Sequence, residues 1–444
     1  MVVTVTLLAC YSFGPVHTLI GNSGFLILIP YFVIVVLTLR AQKHLSAWTS
    51  IANFTSLALV GLPLSNIWIS TGPPVQLSEF RSPVSSQTAV NAKPLPDIYF
   101  VILDGYGRSD VLRSLYGLDN SAFLQQLRQR DFYVAGNSRS NYAQTKLALA
   151  STLNLDYLDV LLAGLDPDTL DHRTSRRLIR NNRLVRFLKE HGYSIIEVQS
   201  PLYDVAIHDS HRSVRKWWFL NLFEITVADM TPMSWLLEQA GLPGLHELHR
   251  RRMAHSIDAT EEISSVQGPK FVFLHVFAGH PPFVFGEYGE ASNPPRRYSW
   301  KSGIDFLSLP AASREEYRIG YRAQVEYINQ RMIAMVDTIL AHSAISPVIV
   351  LQGDHGPASG LNQYDAESTD MNERFAILNA IHMGDGGNES LYDSMSSVNT
   401  FRVILNAYLQ TDYQPLTDRS YFSTWTQPFE FALLKDDAPQ LGNR

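Results

Sequence analysis

Cysteine is almost absent from this 444-residue sequence, which holds only Cys10, in an apolar stretch near its start. A single cysteine excludes an intramolecular disulfide and a zinc site built from cysteines. An excess of basic residues is also lacking, because 36 lysines and arginines stand against 42 aspartates and glutamates, for a formal net charge of -6. Nucleic-acid-binding proteins usually carry a basic face, so no nucleic acid is expected as a partner.

Charged side chains are missing from two long apolar runs near the N-terminus, residues 22–39 and 47–69. A transmembrane helix needs about 20 mostly apolar residues, so both runs are predicted to span a membrane. Residues 1–20 are a third, weaker candidate, interrupted by Gly14, Pro15 and His17. We therefore expect a transmembrane region over residues 1–70, with two to three helices. A cleaved signal peptide does not fit, because its apolar part would be too long and repeated.

The loop between the two runs carries Arg40, Lys43 and His44. Positive residues in short loops favour the cytoplasmic side, so the second span should lead outward and end near Ile69. Residues 71–96 are rich in proline, serine and threonine and have no helical or strand period, which predicts a linker. The remainder, residues 97–444, is then expected to be one extracytoplasmic domain.

Short apolar strand patterns alternate with helical patterns from residue 97 onward. The strand patterns are Asp97–Leu103, Tyr193–Val198, Phe271–Phe277, Pro347–Leu351 and Phe375–Ile381, and the helical ones lie at 110–130, 173–190 and 314–342. This alternation predicts an α/β domain, with a central mostly parallel sheet covered by helices on both faces. No internal repeat and no clear second domain boundary are found, although an insertion around residues 200–260 is compatible with the pattern.

Polar residues follow three of the predicted strands, where ligands of such sheets collect. Asp104 directly follows the first, Asp354 and His355 stand between glycines after the fourth, and His280 follows the third, ahead of two prolines. Carboxylate and imidazole groups can hold a metal ion, and a fixed histidine can contact a phosphate oxygen. The simpler readings are an aspartate that opens a turn and histidines that are solvated or belong to the core.

A nucleophile could come from residues 140–154, where Thr145 precedes a helical pattern. A hydroxyl at a helix N-terminus lies at the positive end of the helix dipole, which also favours a bound anion. Spacing alone leaves Ser140, Thr145, Ser151 and Thr152 as candidates, and a helix-capping role is the simpler alternative for Thr145.

The order of these parts resembles that of the alkaline phosphatase/sulfatase superfamily: a strand ending in Asp104, then Thr145, then His280, then a strand followed by Asp354 and His355. The membrane-anchored sulfatase-like branch, with lipoteichoic acid synthase-like phosphoglycerol transferases and lipid A phosphoethanolamine transferases, is the most similar in layout. The resemblance covers roughly residues 97–410. It implies an alkaline phosphatase-like fold and a multi-pass protein of the bacterial inner or plasma membrane.

The resemblance also implies roles for these residues. Asp104, Thr145, Asp354 and His355 would bind one divalent metal ion, zinc or manganese. Thr145 would also be the catalytic nucleophile, and His280 would contact the substrate phosphate. The expected function is transfer of phosphate-type esters on lipid- or glycan-linked envelope substrates.

The sequence departs from some members of that superfamily. Sulfatases that convert a cysteine need one beside the metal site, and Cys10 lies in the predicted membrane region, so that chemistry is excluded. Two-metal phosphodiesterases carry an aspartate four residues before a histidine, whereas Val276 stands four before His280. No general acid is assigned; His208, His211 and His275 are candidates.

Two alternative functions stay open. The first is a simple phosphodiesterase, phosphatase or sulfatase-like hydrolase with the same site. The second is an inactive scaffold or binding protein in envelope assembly, which would have lost a metal ligand.

Overall fold

The structure is a computed structural model that describes residues 94–434, apart from 167–169, 208–209, 215–219, 221–223, 226–227, 229–236, 238, 293, 295, 297 and 385–386. The predicted transmembrane region over 1–70 and the linker up to residue 93 lie outside the described residues. No helix within the described part of the chain combines the length and apolar character needed to cross a membrane. Residues 220–248 belong to a separate compact unit, and the sheet lies in the unit formed by residues 76–219 and 249–444.

Seven strands form the central sheet in the order β2-β7-β6-β1-β5-β3-β4. Strands β6, β1, β5, β3 and β4 are parallel, and β7 is antiparallel to both of its neighbours. The strands are β1 (Ile98–Leu103), β2 (Tyr133–Val134), β3 (Ser194–Val198), β4 (Arg212–Val214), β5 (Lys270–Val276), β6 (Val348–Gln352) and β7 (Asn379–His382), and a separate hairpin joins β8 (Tyr421–Phe422) to β9 (Ala432–Leu433). The predicted mostly parallel sheet is confirmed.

Eleven α-helices are defined in the described residues. They are α1 (Ser109–Tyr116), α2 (Ser121–Arg128), α3 (Thr145–Asn154), α4 (Leu158–Leu161), α5 (His172–Arg180), α6 (Arg183–Glu190), α7 (Leu245–Ser264), α8 (Gly303–Leu307), α9 (Arg314–His342), α10 (Met371–Phe375) and α11 (Ser397–Leu409). The helical pattern over 110–130 forms two helices because Gly117 ends α1 in a left-handed conformation, with φ of 61°.

Helices cover both faces of the sheet, because the central strands are buried on both sides. In β1, Tyr99, Val101 and Leu103 pack into one core layer together with residues of α1, α2 and α9. The alternate residues Ile98, Phe100 and Ile102 pack into the other layer together with residues of α3, α5, α6 and α11. A continuous apolar run therefore forms β1, as expected for a strand that contacts helices on each face.

Candidate active site

Four side chains from distant parts of the sequence meet at the carboxyl edge of the sheet. Asp104 directly follows β1, Asp354 and His355 follow β6, and Thr145 is the first residue of α3. Strands β1 and β6 are parallel neighbours, so their ends place Asp104 beside Asp354. We call Asp104, Thr145, Asp354 and His355 the four-residue cluster.

Short distances join the members of the four-residue cluster. The Thr145 Oγ1 atom lies 3.0 Å from His355 Nε2. The same nitrogen lies 3.3 Å from Asp354 Oδ2 and 3.6 Å from Asp104 Oδ1. Asp104, Asp354 and His355 are 0%, 2% and 3% exposed, whereas Thr145 is partly exposed. The hydroxyl is thus the member that a substrate can reach.

The donor atoms of the cluster fit a metal ion. One ligand atom each from Asp104, Asp354 and His355 lies within 4.8 Å of the other two. Neighbouring ligands around a tetrahedral zinc ion are separated by about 3.3 Å, given metal–ligand bonds of about 2.0–2.1 Å. Both Asp104 carboxylate oxygens and Asp354 Oδ2 are buried and receive no hydrogen bond from any described residue. Buried carboxylate oxygens without donors are costly unless a cation compensates them.

Hydrogen bonds orient the imidazole of His355 for such a role. Its Nδ1 atom lies 3.0 Å from the carbonyl oxygen of Gly356, which can only accept, so Nδ1 carries the proton. The lone pair of Nε2 then faces the two carboxylates. A backbone carbonyl that fixes the tautomer in this way is a common feature around metal-binding histidines.

Electrostatics within the cluster also favour a cation. Burial, and next the neighbouring Asp104 carboxylate, raise the pKa of Asp354 to about 7. Burial would also raise the pKa of Asp104, but the imidazoles of His280 and His275 outweigh it, and the net pKa lies below the ordinary value. Burial and then the Arg374 guanidinium lower the pKa of His355 to about 3, so its imidazole is neutral at pH 7. Neutral imidazole is the form that binds metals.

Thr145 is distinguished from the other candidate nucleophiles by its surroundings. The hydroxyl of Ser151 donates to Asp156 O at 2.7 Å, and that of Thr152 to Ala148 O at 2.9 Å. The Ser140 hydroxyl contacts the carbonyl oxygens of Tyr142 and Asp354. These three hydroxyl groups are buried, and only the Thr145 hydroxyl faces the imidazole of His355.

The capping alternative for Thr145 does not match the helix boundary. Gln144 occupies the N-cap position in an extended conformation, and no side chain caps the helix there. Thr145 is therefore the first residue of α3, at the positive end of the helix dipole.

His280 lies near the cluster but makes no direct contact with it. Asp104 N donates to Val276 O at 2.9 Å and Gly279 N donates to Asp104 O at 2.7 Å, which joins the ends of β1 and β5 just before His280. The Nδ1 atom of His280 donates to Pro281 O at 2.6 Å, and the side chain is partly exposed. Its Nε2 atom can therefore donate to a phosphate oxygen only when the ring is an imidazolium.

His275, one of the candidate acids, is a neighbour of the cluster, whereas His208 lies outside the described residues. The Nε2 atom of His275 lies 3.3 Å from Asp104 Oδ2, and its Nδ1 atom lies 2.8 Å from Ser200 Oγ. Both Asp104 and His275 have fully buried side chains, so the pair can hold a proton or a cation away from solvent. A polar residue inside the apolar strand β5 was the available signal. His211, another candidate acid, receives a hydrogen bond from Ile195 N at 2.8 Å, near the start of β3 and away from the carboxyl edge.

Arg374 connects the two loops that carry the cluster, and no sequence pattern pointed to it. Its guanidinium donates from Nε to Ala143 O at 2.8 Å and from Nη1 to Gly356 O at 3.1 Å. Ala143 stands two residues before Thr145, and Gly356 directly follows His355. The buried guanidinium therefore fixes the hydroxyl relative to the imidazole.

Two glycines allow the loops of the site to approach each other. Gly105 has a φ of 73°, a left-handed conformation that suits glycine, and its N–H donates to Asp354 Oδ1 at 3.1 Å. A Cβ atom on Gly356 would lie 2.0 Å from Glu373 O, so any side chain there would displace α10. These glycines bring backbone segments together around the four-residue cluster.

Comparisons with known proteins bear on the fold. No protein-family model matches the chain, and no curated protein matches it. The chain is similar in structure to the C-terminal periplasmic domain of EcEptC from Escherichia coli, with a TM-score of 0.51 at 12% identity, over 80% of this chain and 96% of that one. This similarity confirms the fold that the sequence resemblance implied.

Two further solved structures have lower scores. The integral membrane protein lipooligosaccharide phosphoethanolamine transferase A from Neisseria meningitidis has a TM-score of 0.46 at 13% identity, over 86% of this chain and 69% of that one. A protein in the alkaline phosphatase superfamily from Vibrio parahaemolyticus has a TM-score of 0.45 at 12% identity, over 80% of this chain and 78% of that one.

Proposed function

We propose that this chain is a membrane-anchored, metal-dependent enzyme that transfers or cleaves phosphate-type esters through Thr145. The observation that carries the proposal is the meeting of a partly exposed hydroxyl, an oriented imidazole and two buried carboxylates within hydrogen-bonding or ion-binding distance. The shared fold with a periplasmic domain of EcEptC supports an extracytoplasmic site. An inactive scaffold fits less well, because every position of the cluster keeps a residue able to bind a metal.

Asp104, Asp354, His355 and the Thr145 hydroxyl would hold one divalent ion, zinc or manganese. Such an ion lowers the pKa of a bound hydroxyl and neutralises charge on a transferred phosphoryl group. The remaining steps are carried out by the side chains of the protein itself. Thr145 Oγ attacks phosphorus, its proton passes to solvent, and the bond from phosphorus to the leaving oxygen breaks, after which that oxygen takes up a proton.

The other residues of the site bind and orient the substrate. His280, as an imidazolium, would donate to a non-bridging phosphate oxygen. The start of α3 presents backbone N–H groups and the positive end of the helix dipole to the same anion. Arg374, through Ala143 and Gly356, fixes the position of the Thr145 hydroxyl relative to the His355 imidazole. This matters because displacing a reacting group by about 1 Å can lower the rate roughly a hundredfold.

Transfer to a lipid- or glycan-linked acceptor is the form of the reaction that we favour over hydrolysis. The support is the predicted layout: transmembrane helices over residues 1–70, a linker over 71–96 and the catalytic domain from residue 97 onward. This arrangement keeps Thr145 close to lipid donors and envelope acceptors, in a multi-pass protein of the bacterial inner or plasma membrane. The same cluster can use water, in which case the product is the hydrolysed ester.

The test is mass spectrometry of Thr145 together with metal analysis of the purified full chain. After exposure to envelope lipids, the Thr145 peptide should gain the mass of the transferred phosphoryl group, and the protein should contain about one divalent ion per chain. Release of the adduct by an alcohol acceptor faster than by water would support transfer. An unmodified Thr145 in a chain that turns over substrate would overturn the assignment.

A further inference from the structure

We infer that helix α9 positions both halves of the active site, through Tyr321 for the ion ligands and through Gln324 for His280. The sequence pattern over 314–342 predicted a helix, and the proposed chemistry uses none of its residues. The inference rests on the proposed function, because the two roles concern the proposed ion and the substrate phosphate.

The buried side of α9 changes in character along the helix. After Gln324, the buried residues are all apolar except Asn329. Before that point the buried residues are instead Tyr317, Tyr321 and Gln324 itself, each at most 1% exposed. Buried hydroxyl and amide groups are costly unless they form hydrogen bonds, so polar side chains at these positions need specific partners. Those partners lie in the loops at the carboxyl edge of the sheet.

Tyr321 closes the turn that follows Asp104. Its hydroxyl donates to Gly105 O at 3.0 Å and accepts from Gly107 N at 3.0 Å. Gly105 N in turn donates to Asp354 Oδ1 at 3.1 Å. That bond occupies one carboxylate oxygen, and the other, Oδ2, is the one that lies 3.3 Å from the imidazole of the cluster. The Tyr321 hydroxyl therefore determines which way the Asp354 carboxylate faces.

The ring of Tyr321 also contacts the loop that carries His280. Gly279 directly precedes that histidine, and a Cβ atom on Gly279 would lie 2.5 Å from Gly105 O and would collide with the Tyr321 ring. Only a residue without a side chain fits between them. The turn after Asp104 and the loop of His280 therefore pack against one aromatic side chain.

Gln324 closes the loop of His280 from both ends. Its Nε2 atom donates to Phe277 O at 3.0 Å and to Ala278 O at 3.3 Å, on the near side of the histidine. Its Oε1 atom accepts from Val284 N at 2.9 Å, on the far side. Glutamine can do this because it carries donors and an acceptor on one planar group. The amide therefore fixes the backbone on either side of His280.

The two side chains give the two halves of the site a common support. Tyr321 and Gln324 are three positions apart, so they lie on the same side of one helix. A phosphate group bound at the proposed ion must also reach His280. The distance between these two contacts is then set by α9, and a displacement of about 1 Å in such a contact can lower the rate roughly a hundredfold.

The test of Tyr321 measures zinc binding without turnover. Tyr321→Phe keeps the ring and removes the hydroxyl. Titration of the chelator-stripped full chain with zinc should show an affinity roughly 10- to 100-fold below the parental value, as when other groups that orient metal ligands are lost.

Tyr193→Phe is the matched control. The Tyr193 hydroxyl is also buried and donates to Pro96 O at 3.0 Å, ahead of β3 and β1, at the amino edge of the sheet. This variant should bind zinc as the parent does. Both variants lose a buried hydroxyl, so a general loss of stability would act on both.

The test of Gln324 measures the binding of inorganic phosphate to the zinc-loaded chain by calorimetry. Gln324→Met keeps the side-chain length and removes the donor and the acceptor. Phosphate should bind roughly tenfold more weakly, as expected for one lost hydrogen bond to a charged group, while the zinc affinity stays parental. His280→Ala should have a similar effect, and the double variant should bind no more weakly, because Gln324 acts through His280.

Parental zinc affinity in Tyr321→Phe would overturn the role of Tyr321, as would an equal loss in Tyr193→Phe. Additive losses of phosphate affinity in the double variant would overturn the role of Gln324. A parent chain that binds neither zinc nor phosphate would overturn the proposed function together with this inference. A parent that binds both, beside variants that bind them equally well, would overturn the inference alone.

Discussion

Replacing Glu197 with glutamine should stabilise the protein above neutral pH and leave it unchanged in acid. Glu197 lies on β3 and is 4% exposed, and its Oε1 atom accepts a hydrogen bond from Ile207 N at 2.9 Å. That bond ties the sheet to the segment that carries Asp204, the partner of Lys146 beside the nucleophile. Burial raises the pKa of Glu197 from 4.5 to about 7.

The magnitude follows from that shift. Between pH 4.5 and pH 7 the folded protein keeps the proton on Glu197 while the unfolded chain loses it, so stability falls as pH rises through this window. Each pKa unit corresponds to about 1.4 kcal/mol, which gives a loss of about 3 kcal/mol by pH 8. Glutamine mimics the protonated carboxyl group and can still accept the bond from Ile207 N.

Thermal unfolding of the full chain in an uncharged detergent would measure the effect. For a domain of about 340 residues, 3 kcal/mol corresponds to roughly 4 °C, so the variant should melt about that much higher at pH 8 and at the parental temperature near pH 4.5. Glu190→Gln, at an exposed position at the end of α6, serves as the control and should change neither temperature. If the melting temperatures of the variant and the parent differed by the same amount at pH 4.5 and at pH 8, the reasoning would be refuted. That result would mean that Glu197 does not titrate between these two pH values.

Further predictions concern the active site. Thr145→Ala should abolish turnover of a chromogenic phosphodiester and the covalent adduct while the melting temperature stays unchanged; residual turnover would place the nucleophile elsewhere. Asp354→Asn should lower the metal content of the protein, measured by mass spectrometry, at least tenfold. Asp365→Asn, at an exposed position, serves as the control and should retain the metal. Equal metal content in the two variants would show that Asp354 is not a ligand. Arg374→Lys should reduce kcat roughly a hundredfold with KM and metal content little changed, because a compact ammonium lacks the planar fork of donors that reaches Ala143 O and Gly356 O from separate nitrogens. An unaltered kcat would show that the guanidinium does not position Thr145.

The central strands could be predicted because strands buried on both faces are continuous apolar runs. The patterns at Asp97–Leu103, Phe271–Phe277 and Pro347–Leu351 match β1, β5 and β6 within one residue at each end. The pattern over Phe375–Ile381 was wrong at its start, since Phe375 ends α10 and β7 begins at Asn379. Apolar composition does not separate a buried helical turn from a strand over so few residues.

Short edge elements carried too little signal. Strands β2 and β4 have two and three residues, so neither shows an alternation that could be recognised. The pattern over 173–190 also reads as one helix, whereas Asn182 caps a second one by accepting from Val185 N at 2.7 Å. Asparagine is a common capping residue, and its place inside the helical pattern over 173–190 was the available indication of a second helix.

The site was predictable to the extent that strand ends determine it. Asp104, Asp354 and His355 follow strands that proved to be parallel neighbours, which is sufficient to bring them together. Thr145 could be chosen from four hydroxyl residues only through the order of the motifs. The role of Arg374 could not be predicted, because its guanidinium binds backbone carbonyl oxygens, which every residue has. The sequence alone does not show which carbonyl groups lie near this side chain.

The pairing of β1 with β6 has a consequence for when the protein could acquire the proposed ion. Gly105, next to one carboxylate, and Asp354, the other, are 249 positions apart in the chain. A nascent polypeptide that has not yet produced β6 has Asp104 and Thr145 but lacks Asp354 and His355, two of the four proposed ligands. Loading of the proposed ion would therefore follow the pairing of β6 with β1, and a fragment that ends before residue 348 should bind none.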